Sequence, residues 1–292
     1  MTIGLWGRAV HAADEGPVFR FSPPTRTVRV ETTRTTQLLE VAGQVAPARE
    51  TESVARVEIV RMPNGYRLLS ELVSGTSQGG NSAVGQALLD ALKGVTVTYV
   101  IDLQGHVQSV EGLEAAAARV RRSVPAEMEP TLARSFAPGA LLQAQKADWD
   151  RAVGDLVGRP ASVGAVWVSR QQYGAPDGSL VDVHAATRAV GRVKLQQHDC
   201  LRLENAFSSN PEDLRSFLGA SAEALLADLK PLGGSARIAG DSQYITDPAT
   251  LIWYQATSKL KMETTVEIPG RGPAPAVITW IKQYRTKPVP PK

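Results

Sequence analysis

Val95-Thr96-Val97-Thr98-Tyr99-Val100-Ile101-Asp102-Leu103-Gln104-Gly105-His106-Val107-Gln108-Ser109-Val110 is the stretch on which the fold turns. Its first seven residues are β-branched or aromatic, side chains that are stiff at χ1 and pack well on a pleated surface. Asp102-Leu103-Gln104-Gly105 supplies turn chemistry, because Asp can bond its own backbone and Gly accepts a positive φ. His106 to Val110 then returns, so the segment predicts an antiparallel hairpin. The turn is too short for a calcium loop.

Hairpins recur outward from this one. Thr25 to Leu39, TRTVRVETTRTTQLL, interleaves polar and apolar residues. Glu52 to Met62 puts Val54, Arg56, Glu58 and Val60 on one parity and Ala55, Val57, Ile59 and Arg61 on the other. Pro63-Asn64-Gly65 is a turn signal and Tyr66 to Val73 the returning strand, with one wet and one dry face. Asn81 is placed to cap a helix through Val84, Leu88, Leu89 and Leu92. From Gly112 to Gly158 alanine and leucine rise and β-branched residues fall, which predicts a helical block over 112–158. Strands resume at Gly164 to Ser169 and continue through Leu180 to Leu195 and Asp199 to Leu203. After Pro211, the spacing of Leu214, Phe217, Leu218, Ala222, Leu225 and Leu229 predicts one amphipathic helix, and long strands fill Ser235 to Tyr284.

The order strands, helices, strands, helix, strands predicts an α+β protein. Its core would be a large curved antiparallel sheet, half-barrel-like, carrying the helical block and one further helix. The expected boundaries are a signal-peptide remnant and disordered N-terminus over 1–24, a single domain over 25–286, and a disordered proline-rich tail over 287–292.

Composition narrows the function classes. Of 292 residues, 43% are hydrophobic, which excludes a disordered chain, and no apolar run approaches the ~18 residues of a membrane-spanning helix. The single cysteine excludes an internal disulfide and a thiolate-cage zinc site. A net charge of +3 is too small for a dedicated nucleic-acid binder. Val10 and Ala12 of Val10-His11-Ala12 occupy the small-residue positions of a secretory cleavage site, so the expected location is periplasmic or secreted, with the cytoplasm as the alternative.

The sharpest catalytic match is Gly75-Thr76-Ser77-Gln78-Gly79, a Gly-x-Ser-x-Gly that would place the Ser77 hydroxyl on an exposed strand-to-helix elbow. Against it stand a half-polar preceding strand, no upstream His-Gly loop and no parallel sheet; the alternative is a flexible Gly/Ser loop. His198 and Cys200 share a strand face but have no third partner at a telling distance. No cofactor and no metal site are predicted. Arg119, Arg121, Arg122 and Arg134 line the wet side of the helical block. Trp253, Tyr254 and Trp280 fall in the late strands, where core packing is the default and an apolar concavity the second reading.

Three stretches carry a resemblance: Tyr99 to Val107 with Val110-Glu111-Gly112, then Leu156 to Trp167, then Asp247 to Leu251. Together they resemble an uncharacterised family of secreted bacterial β-rich proteins, a domain of unknown function. The strand order is also similar to that of the periplasmic lipoprotein carriers, whose half-barrel holds acyl chains against helices. That similarity is one of architecture only. The cleavage-like Val10-His11-Ala12, the β-rich pattern and the lack of a catalytic set lead to the expectation of an exported, non-enzymatic cell-envelope protein that binds a lipid or other apolar ligand, or an envelope protein partner, on a curved sheet. The alternatives are a serine hydrolase using Ser77 and a ligand-free interaction scaffold docking through its arginine-bearing helices.

Overall fold

The computed structural model describes residues 16–80, 82–123, 136–174, 180–232, 236–268 and 271–289. The cleavage-like Val10-His11-Ala12, the capping Asn81, Arg134 and the last three residues of the tail lie outside them.

The first half of the chain supplies β1 (Arg26–Val41), β2 (Gln44–Val45), β3 (Arg49–Met62), β4 (Gly65–Gln78), β5 (Thr96–Asp102) and β6 (Val107–Glu111). The second supplies β7 (Val166–Gly174), β8 (Leu180–Leu195), β9 (His198–Ser208), β10 (Arg237–Thr246), β11 (Trp253–Ile268) and β12 (Gly272–Pro288). All twelve form one antiparallel sheet of order β6-β5-β4-β3-β1-β12-β11-β10-β9-β8-β7, with β2 beside β1. The predicted hairpins are all present. Each half is a meander, and the two halves join where the first long strand meets the last, from Arg29↔Pro288 to Val41↔Ala276.

This order leaves β6 and β7 as the free edges. The helical block carries the chain from one to the other through α2 (Leu113–Ser123), α3 (Pro138–Trp149) and a π-turn at Asp150–Gly154. Helix α3 packs against both β6 and β7. Helix α2 touches α3 on one side and α1 (Ser82–Leu92) on the other. A helix thus spans the gap that a β6–β7 ladder would close in a barrel, and it covers both edges. Directional bonds pin the seam. Trp149 Nε1 donates to the Gly105 carbonyl at 2.7 Å, and Tyr99 bonds Gln145. On the β7 side, Asp155 accepts from Ser169 Oγ at 2.9 Å and from Gln171 Nε2 at 2.6 Å.

Alternation sorts the faces, since successive strand residues point to opposite sides. Val57 and Ile59 of β3, Tyr66 and Leu68 of β4, Ile101 of β5, Trp167 of β7 and Leu203 of β9 are buried on the concave side, in one cluster with Val153 and Leu156 of the helical block. On the convex side Ala186 packs against Leu214, Leu218, Ala222 and Leu226.

Three expectations are corrected. The segment after Pro211 is not one helix. It is a 3-10 turn (Pro211–Leu214), α4 (Arg215–Leu218), a second 3-10 turn (Gly219–Ser221) and α5 (Ala222–Leu226). The break falls at Gly219, whose φ of 57 with ψ of −126 suits glycine and few other residues. The N-terminal segment is packed from residue 17. Phe19 and Phe21 are buried, and the Phe19 N–H donates to the Arg159 carbonyl while its own carbonyl accepts from Gly158 N–H. Two aromatic rings are too much apolar surface to leave in water. The tail is strand through Pro288, because Lys287 and Pro288 continue the β12 register against Val30 and Arg29. An outermost Pro is compatible with a strand end.

Candidate ligand-binding lumen

The concave face and the helical block enclose a cavity of about 500 Å3. Its walls come from both sheet halves: Val57, Ile59 and Leu68 on one side, Phe207, Tyr244, Trp253, Leu260 and Trp280 on the other, with Tyr99 and Trp149 at the seam. One end is closed. There Phe21 sits against Gly105 in the β5–β6 turn, meeting Trp149 edge-on at 5.5 Å and Tyr66 at 5.1 Å. Gly105 has φ of 88, and a Cβ on it would lie 2.8 Å from Phe21 Cβ, so only glycine lets the ring seal the turn. The exposed Lys282 marks where the lumen meets solvent.

Aromatic pairs set the wall geometry. Tyr244 stacks on Trp253 at 4.6 Å, and Tyr173 stacks on Phe207 at 4.6 Å. Arg151 lies over the Tyr173 ring at 4.2 Å and pairs with Asp148, whose carboxylate matches its charge. Burial pushes the phenols of Tyr99, Tyr173, Tyr244 and Tyr284 above their ordinary range, as a poorly hydrated interior requires.

A polar group interrupts these walls. Arg29 and Glu31 stand two apart on β1, hence on the same face, and Arg29 Nε donates to Glu31 Oε1 at 2.6 Å. Burial works against the Arg29 charge, and the Glu31 carboxylate more than offsets it, leaving the guanidinium firmly protonated. Tyr284 belongs to the same group; its hydroxyl accepts from Thr286 Oγ1 at 2.7 Å, and its ring meets Trp253 edge-on at 6.5 Å. Three buried polar atoms of lumen-lining residues have no hydrogen-bond partner: Arg29 Nη1, Trp253 Nε1 and Gln171 Oε1.

Ser77 is elsewhere. It lies within β4 opposite Thr51, its N–H donates to Gln86 Oε1 at 3.0 Å, and its hydroxyl is buried under α1 without a partner. The glycines around it serve packing. A Cβ on Gly75 would lie 2.8 Å from Leu89, and one on Gly85 would lie 2.3 Å from Ser77 Oγ. A hydroxyl sealed in this way is not presented to a carbonyl, and no strand-to-helix elbow forms. Cys200 is buried beside Ile252 and Tyr254. Burial, with Asp247 and Asp199 adding to it, pushes its thiol up to about 11. His198 is exposed, 3.4 Å from Asp247 Oδ2 and against the Tyr254 ring. The two residues form no dyad. Arg119, Arg121 and Arg122 are exposed on α2, where Arg119 donates to the Lys93 carbonyl. Among the described residues no three His, Cys, Asp or Glu side chains are grouped to hold a metal ion.

Sequence reasoning placed Trp253 and Trp280 in the late strands, and both line the lumen. It passed over Arg29, Glu31, Gln171 and Lys282. The only available signal was a pair of opposite charges two apart in a strand rich in Thr and Val, which marks one face but does not say that the face is covered.

No family model matches the chain, and no curated protein matches it. Among solved structures it is similar to a lipovitellin chain studied for its lipid–protein interactions, at 8% identity and a TM-score of 0.45, over 92% of this chain and 26% of that one. It is also similar to DynF from the dynemicin biosynthesis pathway of Micromonospora chersina, at 10% identity and a TM-score of 0.23, over 96% and 92%. The chain thus spans about a quarter of the lipovitellin chain, and neither likeness bears on what this protein does.

Proposed function

We propose that the protein is a non-enzymatic binding protein of the cell envelope that holds an apolar ligand in its lumen. The carrying observation is the cavity of about 500 Å3, walled by aromatic and aliphatic side chains from both sheet halves and capped by the helical block. Ligand pockets of roughly 300–1,000 Å3 with mostly apolar walls and a few placed polar groups are the usual form for small-molecule sites. A space this large inside a close-packed protein is costly to leave unfilled.

Native mass spectrometry of the protein purified from its host tests the binding function. The expected result is an adduct of one ligand mass that is lost on collisional activation. A bare mass at every charge state, together with no uptake of a lipophilic fluorescent dye, would refute it. The envelope location is supported by the spacing of Val10-His11-Ala12 alone. Fractionation of the host tests that part, with recovery in the cytoplasmic fraction as the contrary result.

A further inference from the structure

We infer that the ligand is a single-chain amphiphile whose polar end is a monoanionic, acceptor-only head, such as a carboxylate, seated at Arg29 and Trp253. The inference rests on the binding function proposed above and adds the chemistry of the head.

The first observation is the kind of polar atom left without a partner. Arg29 Nη1 and Trp253 Nε1 are both donors, both buried and both on lumen-lining residues. They flank Tyr284, which meets Trp253 at 6.5 Å and shares its neighbourhood with the Arg29–Glu31 pair. No protein acceptor reaches these two donors: Glu31 accepts from Arg29 Nε, not Nη1, and the Tyr284 hydroxyl accepts from Thr286. A head that only accepts satisfies two donors at once. A hydroxyl head would meet the same donors without the charge assistance that an anion gains from a guanidinium, and an ammonium head would satisfy neither donor.

The second observation is the charge balance of the lining. Arg29 pairs with Glu31, and Arg151 pairs with Asp148. Lys282 is the remaining charged lining residue, and among the described residues it makes no ion pair. That unpaired positive charge stands at the exposed mouth of the lumen, where it favours entry of an anionic ligand over a cationic one.

The third observation is size. At ~30 Å3 per water-sized group, 500 Å3 accommodates about sixteen such groups. That suits one alkyl chain of about a dozen carbons with its head and excludes a two-chain phospholipid held entirely inside.

Delipidated full-length protein is titrated with three probes of one chain length, dodecanoic acid, dodecanol and dodecylamine, by isothermal calorimetry at pH 8. The acid is expected to bind about ten- to a hundredfold more tightly than the alcohol, with the amine weakest. Lys282→Met, at an exposed position six residues along the sheet from Arg29, should change the acid–alcohol gap by less than about twofold. The paired variant Arg29→Met with Glu31→Leu avoids stranding a buried carboxylate and should abolish the gap while leaving dodecanol binding in place. If acid and alcohol bind equally, or the paired variant keeps the preference, the head-group inference is wrong and the apolar lumen stands. If none of the three probes binds, the binding function itself fails.

Discussion

Filling the lumen with the protein's own side chain gives the most direct test of where the ligand sits. Ser258 lies in the middle of β11, opposite Ser242 on one side and Lys282 on the other, and it lines the cavity without making a side-chain hydrogen bond. Phe is at home in a strand, so Ser258→Phe leaves the pairing intact. The ring adds five non-hydrogen atoms to a space of about sixteen water-sized groups, displacing about four methylenes of a bound chain. At ~0.8 kcal/mol for each methylene returned to water, the loss is ~3 kcal/mol, or about a hundredfold in Kd. The outward-facing neighbour Lys259→Phe adds the same ring to the same strand and should change Kd by less than twofold. Displacement of a lipophilic fluorescent probe reads both variants, with circular dichroism as the check on folding. A folded Ser258→Phe protein that binds like wild type would show that the chain lies outside this lumen.

Other substitutions test the packing that frames the site. Ser77→Ala removes a buried hydroxyl with no partner, so it should raise the thermal midpoint slightly, by up to ~1 kcal/mol of stability, and leave the response to a serine-directed activity probe unchanged. Phe19→Ala should cost ~3–5 kcal/mol in urea unfolding, a result that a disordered N-terminus would not give. Cys200 should resist a thiol reagent at pH 8 in the folded protein and react fully in denaturant, since burial raises its pKa to about 11. The Asp155 carboxyl is held above its ordinary 3.8 chiefly by burial, against the pull of hydrogen bonds from Ser169 and Gln171. A raised carboxyl pKa favours the fold below 3.8, and that advantage is lost as the pH climbs through the raised value. Asp155→Asn keeps an acceptor for Ser169 and Gln171 without the charge, so its midpoint should rise relative to wild type between pH 4 and pH 7; parallel curves across that range would refute the argument.

The hairpins were legible because local chemistry writes them: Thr96 to Ile101 alternates, Asp102 and Gly105 turn the chain, and Asp102 Oδ1 does accept from the Gln104 and His106 N–H groups. What joins the hairpins was less legible. The β1–β12 seam pairs Arg29 with Pro288, two residues at opposite ends of the chain, and no local pattern encodes a contact across that separation. Gly219 broke a helix whose apolar spacing was otherwise continuous, because a backbone conformation leaves no mark on hydrophobic periodicity. Phe19 and Phe21 stand among Pro17, Pro23 and Pro24, yet their partners are far away in sequence, the 158–161 segment for Phe19 and Tyr66, Gly105 and Trp149 for Phe21. For the site, the aromatic walls could be suspected from Trp253 and Trp280. The charged pair could not, because β1 carries charges on both faces, and only the helical block decides which face is dry.

The lumen is also where this structure departs most from what stability alone would select. A buried Arg–Glu pair gains little over apolar residues of similar volume, because the attraction must first repay the loss of water around both charges. Unpartnered buried donors cost more, and so does an interior space that side chains could have filled. The packing around the lumen follows the local rules: Gly105 gives Phe21 its seat, Gly85 lets α1 lie on β4, and Leu214 to Leu226 cover the convex face. Among the described residues, three of the six unpartnered buried side-chain atoms, on Arg29, Trp253 and Gln171, belong to residues that line this one cavity. Several unpartnered polar atoms around one cavity call for a shared explanation, and a bound ligand supplies one. A ligand with an apolar chain and an accepting head removes all but one of these penalties at once, leaving Gln171 Oε1 to find its donor in water.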